Sequence, residues 1–268
     1  MNKIDQTFSR LKESGQTALI PFITLGDPDL NTSVDILKEL ELAGADIVEL
    51  GVPYSDPLAD GPVIQNSSMR ALKNRITITD CMEAAGRARE RGVRLPFILF
   101  TYYNPVLRLG LERAFCLLKE HDFSGIIIPD LPVEESGEAR AAAEKYGIYL
   151  IPLVAPTSNE RIRIITSYAK GFVYCVSSLG VTGMRSSFFR GIGEFLSSVK
   201  HSTTLPVAVG FGISTREHVA RFSQICDGVV VGSAIVKKIE EVSPLLASAA
   251  TREEGLLQIR EFVRKLKG

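Results

Sequence analysis

Two apolar segments of this chain end in small residues: Pro206-Val207-Ala208-Val209-Gly210-Phe211-Gly212-Ile213-Ser214 and Val229-Val230-Val231-Gly232-Ser233-Ala234-Ile235. Each reads as a short strand running into another element, so two neighbouring strand ends can offer backbone N–H groups to a single anion. Neither is a GxxxxGK or GxGxxG motif, which argues against a nucleoside triphosphatase or a dinucleotide enzyme. The pattern favours instead the phosphate site that follows strands seven and eight of a (β/α)8 barrel. Gly212, Gly232 and Ser233 are the candidate donors, with two tight turns that serve packing alone as the alternative. Glu49 ends another apolar run, Ala45-Asp46-Ile47-Val48-Glu49-Leu50, where it shares a strand face with Ile47 while Val48 lies on the other. A carboxyl group directed into the partly apolar mouth of a barrel loses hydration and keeps its proton more readily, which suits proton transfer near neutral pH. A salt-bridged glutamate at a strand end is the alternative. Asp60 follows in a loop rich in proline and glycine that can curve back over the same strand end, although Asp60-Gly61 also fits a plain turn.

Such residues need a scaffold, and the chain supplies the pattern of one. Its 268 residues lie near the ~250 of a single (β/α)8 barrel. Strands are expected near 18–24, 45–50, 95–100, 124–128, 148–153, 171–176, 205–209 and 226–231, each short, apolar and rich in β-branched or aromatic residues. Between them 32–43, 61–72, 80–91, 111–120, 134–146, 159–168, 192–199 and 215–222 carry apolar residues at helical spacing. Uniformly apolar runs such as Gly125-Ile126-Ile127-Ile128 fit parallel strands buried on both faces. Two further stripes, Ile4, Phe8 and Leu11, then Leu256, Leu257, Ile259, Phe262, Val263 and Leu266, predict helices over 1–14 and 251–267 that plug or cover the barrel. The expectation is an α/β TIM barrel forming one domain over 1–268, with additional N-terminal and C-terminal helices.

Composition removes several classes of function. Lysine plus arginine and aspartate plus glutamate each total 31, so net charge makes no case for nucleic acid or an anionic membrane. The apolar runs are too short and interrupted to span a bilayer, and the first residues do not open a signal peptide; a cytoplasmic location is expected. Cys81, Cys116, Cys175 and Cys226 are far apart and lack metal-ligand spacing, so reduced thiols are expected, with no metal and no organic cofactor in this chain.

Several segments, in a fixed order along the chain, resemble the tryptophan synthase alpha chain family. They are Pro21-Phe22-Ile23-Thr24-Leu25-Gly26-Asp27-Pro28, the long run from Glu49 to Gln65, Tyr102-Tyr103-Asn104-Pro105, Pro129-Asp130-Leu131-Pro132, Gly180-Val181-Thr182-Gly183 and Gly210-Phe211-Gly212-Ile213. The resemblance implies a barrel that cleaves indole-3-glycerol phosphate to indole and glyceraldehyde 3-phosphate and passes indole to a beta chain. It also implies a two-alpha two-beta assembly in which pyridoxal phosphate belongs only to the partner. Glu49 then corresponds to the proton shuttle, Asp60 to the anion that accepts the indole N–H, and Tyr174 to a phenol beside the glutamate. Thr182 corresponds to a residue that contacts the aspartate when a lid at 177–187 closes, and Gly183 to a phosphate contact. Pro53, Asp56, Pro57, Asn104, Pro105, Pro129, Asp130, Leu131 and Pro132 correspond to the surface that meets the beta chain.

For the apolar half of the substrate, Phe22, Ile64, Leu99, Ile126, Ile128 and Phe211 are expected to line a pocket for the planar ring. Ser178 stands where many family members carry arginine, and 184–189 departs from the usual continuation, which weakens any transfer of lid behaviour. Two alternatives stay open: another sugar-phosphate barrel enzyme, and a catalytically silent ligand-binding subunit.

Overall fold

The computed structural model describes residues 1–177 and 191–268. Thr182 and Gly183, with Ser178 and the rest of the expected lid beyond Ser177, lie outside the described residues. Strand β1 (Ala18–Thr24) pairs in parallel with β2 (Val48–Gly51) on one side and with β9 (Gly228–Val231) on the other. From β2 the sheet continues through β3 (Phe97–Phe100) and β4 (Phe123–Ile127) to β5 (Tyr149–Leu150). From β9 it continues through β8 (Val207–Gly210) and β7 (Val173–Val176) to β6 (Leu153–Val154).

The single strand expected over 148–153 is therefore two short strands, with Pro152 between them. Proline has no N–H to donate and interrupts the ladder. The backbone nonetheless stays bonded on both sides: Ile151 N–H donates to Ile126 O at 2.9 Å and Tyr174 N–H donates to Pro152 O at 3.1 Å. The two ends of the sheet thus meet in one extended segment, and the strands curl into a barrel flanked by helices.

Side-chain alternation sorts the strand residues into two apolar clusters. Ile20, Phe22, Ile47, Ile98, Phe100, Ile127, Tyr174, Ala208 and Val230 fill the interior. Leu19, Ile23, Val48, Leu50, Leu99, Ile126, Cys175, Val209 and Val229 pack outward against the helices. Helix α1 (Lys3–Glu13) sends Ile4, Phe8 and Leu11 into the interior cluster, with the Phe8 and Phe172 rings 5.5 Å apart, so it plugs one end of the barrel. Helix α12 (Arg252–Lys267) adds Ile259, Val263 and Leu266 to the outer cluster and so covers the flank. It is tied to α2 (Leu30–Leu42) by Arg260–Glu39 at 2.5 Å and Arg252–Asp35 at 2.6 Å.

Two helices depart from the expected pattern. Helix α5 (Tyr103–Leu109) accommodates Pro105 in its first turn, where a missing N–H costs nothing. Helix α11 (Ser233–Leu246) follows β9 and buries Ile235, Val236, Ile239, Val242 and Leu246, its spacing partly disguised in the sequence by Pro244. Of the four cysteines, Cys81, Cys175 and Cys226 are buried and Cys116 is exposed, all as free thiols.

Candidate active site

The barrel mouth is organised by register. Phe22, Glu49 and Ile98 lie side by side on β1, β2 and β3, so Glu49 shares the inward face with two apolar residues. It is 1% exposed, and among the described residues its Oε1 has no hydrogen-bond partner. An unpaired carboxylate in such surroundings is strongly disfavoured, and burial raises the Glu49 carboxyl well above the usual carboxylate range. Burial thus favours the protonated form of the group.

Asp60 reaches the same cavity from the loop after β2. Its N–H donates to Pro57 O at 3.0 Å and its carbonyl accepts from Gln65 Nε2 at 2.7 Å, which fold the loop back over the strand end. Burial pushes its carboxyl up to about 6, and a hydrogen bond from the Tyr102 hydroxyl, 3.1 Å from Oδ2, works in the opposite direction. At neutral pH Asp60 is therefore mostly ionised, while burial shifts Glu49 toward its protonated form. Tyr174, on β7, completes the group: burial and then the charges of Glu49 and Asp60 raise its phenol well above its usual value.

Absent side chains make room for these residues. A Cβ on Gly210 would fall inside contact distance of the Tyr174 ring, and one on Gly51 would collide with the Phe22 ring. Replacing Gly210 with alanine is expected to displace Tyr174 and destabilise the fold by about 1–3 kcal/mol, as overpacking generally does. Denaturant unfolding of the variant measures this, and an unchanged midpoint would show that the ring has free space to move into.

Phe22, Glu49, Asp60, Ile64, Phe100, Tyr174, Phe211, Gly212, Ile213, Val230, Gly232 and Ser233 line one cavity of about 30 Å³. That is roughly the room of a single water, so a bicyclic ring enters only as the walls give way. Phe211 stands in the wall that this cavity shares with a larger neighbouring groove of about 730 Å³. It holds a left-handed φ of 71°, meets Tyr174 edge-on at 5.9 Å and accepts a hydrogen bond from Ser177 Oγ at its carbonyl.

Leu99 and Ile126, expected in the ring pocket, are not there. Both are fully buried behind the sheet in the outer cluster, and the inward positions belong to their successors Phe100 and Ile127. Ile128 likewise joins the outer cluster and borders the larger groove. The reason is the period of two along a strand: where both faces are apolar, nothing in the sequence marks which residue points in. Ile213 and Val230 also line the cavity without having been expected there, as does Tyr102 as a partner of Asp60.

The candidate phosphate donors come together on the same cavity. Gly212 has φ 85°, whereas Gly232 has φ −108° and caps the N-terminus of α11, whose first-turn amides begin at Ser233. Such amides have no partner within the helix and carry the positive end of its dipole. The difference in φ separates two tests. Gly232→Ala places a Cβ toward Phe22 at 3.5 Å, an ordinary contact, and is expected to weaken glycerol phosphate binding about tenfold with little change in stability. Gly212→Ala should lose stability as well, because its backbone is left-handed. Calorimetric titration with glycerol phosphate reads the affinities, and an unchanged value for Gly232→Ala would place the anion elsewhere.

The residues expected to meet a partner chain gather at the same end of the barrel. Pro53 is buried, Pro57, Pro105, Pro129 and Leu131 are half-buried, and Asp56, Asn104, Asp130 and Pro132 are exposed. Tyr103 N–H donates to Asp130 Oδ1 at 2.9 Å and Asn104 Nδ2 to the Tyr54 hydroxyl at 3.4 Å, joining the segments after β2, β3 and β4. Leu58, 75% exposed, and the run from Pro129 to Val133 border the larger groove beside them. Among the described residues no cluster of His, Cys, Asp and Glu is arranged to hold a metal ion, and no helix is long and apolar enough to cross a membrane.

Comparison with known proteins adds an independent line. The family model described as Tryptophan synthase alpha chain matches residues 8–267. The tryptophan synthase alpha chain of Geobacillus kaustophilus is 53% identical over 247 residues, covering 92% of each chain, and that of Bacillus subtilis strain 168 is 49% identical over 256 residues, covering 96% of each. Among solved structures, tryptophan synthase subunit alpha from Legionella pneumophila superposes with a TM-score of 0.89 at 32% identity, covering 100% of this chain and 97% of the other.

Proposed function

We infer from its cavity that this chain, which belongs to the tryptophan synthase alpha chain family, carries out the family's cleavage with Glu49 moving both protons. The chain is a lyase that splits indole-3-glycerol phosphate into indole and glyceraldehyde 3-phosphate, and it partners a tryptophan synthase beta chain. The observation that supports the residue assignment is that a buried Glu49, whose carboxyl burial drives toward the protonated form, and Asp60, held by the Tyr102 hydroxyl, line one cavity. Groups with separated proton affinities divide acid from anion.

Glu49 donates its proton to C3 of the indole ring, which leaves the ring cationic. Asp60 accepts the ring N–H, and its negative charge stabilises the cation as it forms, so its contribution grows toward the transition state. The Glu49 carboxylate then takes the proton of the adjacent side-chain hydroxyl. The bond between C3 and the side chain breaks as that carbon becomes the aldehyde, and the electron pair returns to the ring, which is the electron sink. Glu49 ends the cycle protonated. Tyr174, Phe22, Ile64 and Phe211 enclose the ring, and Gly183, Gly212, Gly232 and Ser233 hold the phosphate, with Thr182 assigned to the contact with Asp60 on closure. Pro53, Asp56, Pro57, Asn104, Pro105 and the run from Pro129 to Pro132 form the face that meets the beta chain, in a two-alpha two-beta assembly in the cytoplasm.

Indole release by the purified chain, measured with and without its cognate beta chain, tests this reading. Release that rises with the beta chain is expected. No indole from an intact, phosphate-binding protein in the presence of that partner would overturn it.

A further inference from the structure

Tyr102 is the one side chain bonded to the Asp60 carboxylate among the described residues. It follows β3, is 3% exposed, and its hydroxyl makes two bonds. It accepts from Ala59 N–H at 2.9 Å, and its own proton points to Asp60 Oδ2 at 3.1 Å. The Ala59 amide takes one accepting site of the hydroxyl and leaves its proton free, so the phenol donates and the aspartate oxygen accepts. A carboxylate oxygen satisfies that bond better than a carboxylic acid does. The ring is in turn held by stacking on Tyr54, with centroids 4.9 Å apart and planes at 22°.

We propose that Tyr102 is a positioning residue for the cleavage, whose hydroxyl keeps Asp60 ionised and turned toward the ring N–H. This rests on the assignment of Asp60 above. The other titratable groups around Asp60 disfavour its charge or leave it unaided: Glu49 from β2 and Tyr174 from β7 share its cavity, and Asp130, after β4, acts on Tyr102 itself. Burial works against the anion, and the Tyr102 hydrogen bond is what opposes it. Phenylalanine at this position keeps the ring and the stack and removes only the donor.

The test is Tyr102→Phe, read in two ways. In indole release, the acid limb of kcat/KM is expected to move up by about one pH unit, the size of a lost hydrogen bond to a charged group. The variant should then show a deficit of about fivefold near pH 6 that disappears near pH 8.5. Titration of the substrate phosphate is common to both curves. A uniform loss at every pH, as a merely structural role would give, overturns the proposal.

The second reading needs no substrate. The unfolding stability of the Asp60→Asn variant relative to its parent is followed against pH, first with Tyr102 present and then in the Tyr102→Phe background. The pH at which that difference levels off at its upper end reports the Asp60 proton of the folded chain and is expected to move upward with the kinetic limb. An upper end that stays in place overturns the proposal whatever the kinetics show. One that moves in a chain releasing no indole supports the hydrogen bond while rejecting the catalytic assignment.

Discussion

Replacing Glu49 with glutamine is expected to lower indole release by about 10²–10⁴-fold, the usual worth of a general acid and base, while phosphate affinity and fold survive. Glu49 is buried and shifted toward its protonated form, so an amide of nearly the same shape enters without removing an ion pair. What it cannot do is give a proton to C3 and take one back from the hydroxyl. The variant should also gain relative stability as pH rises. A carboxyl raised by burial favours the folded state fully below its unfolded value, and that contribution is lost as pH climbs, because the unfolded chain releases the proton first. Glutamine has no such loss, so the difference between the two proteins should widen above the ordinary glutamate range. Steady-state indole release and denaturant unfolding at several pH values measure both effects. Turnover equal to that of the parent would remove Glu49 from the reaction.

Replacing Asp60 with asparagine is expected to reduce kcat by about 10²–10³-fold and to change substrate affinity much less. The amide retains a similar shape and can still accept a hydrogen bond from Tyr102, but it brings no negative charge to the cation formed on C3 protonation. Stability should move the other way. The Asp60 carboxyl sits at about 6 instead of 3.8, so its proton favours the fold below about pH 4 and that contribution disappears between pH 4 and 6. Above that range the asparagine variant should be more stable than the parent by about 3 kcal/mol; below it the two should converge. A fall in affinity as large as the fall in kcat would mean that Asp60 serves binding and not the transition state.

Much of the barrel is legible from local pattern alone, and particular segments show where that ends. Strand β1 and helix α6 (Leu111–Glu120) occupy the residues their apolar spacing marks, because uninterrupted β-branched and helical periodicities are strong signals over that length. The segment at 148–153 reads as one strand, yet the unbroken apolar pattern conceals the missing donor at Pro152 that divides it. Helix α11 begins at the candidate phosphate-binding turn, yet with Pro244 inside it the sequence marks only the strand over 226–231 before it.

Residue type and order in the chain determined the barrel class, the candidate acid Glu49, the candidate anion Asp60 and the glycine-rich ends of β8 and β9. The barrel class, Glu49 and the glycine-rich ends follow from local chemistry and short-range spacing, which a linear sequence displays, whereas the role of Asp60 is what the family resemblance implies. Only the tertiary structure decided which of two adjacent apolar residues faces the cavity, Phe100 over Leu99 and Ile127 over Ile126, since parallel strands bury both faces and alternation leaves no polar mark. It alone brought Tyr102 to Asp60 across 42 residues of chain. It also separated the proton affinities of the two carboxyls, because desolvation depends on every side chain packed around a group and not on its neighbours in sequence.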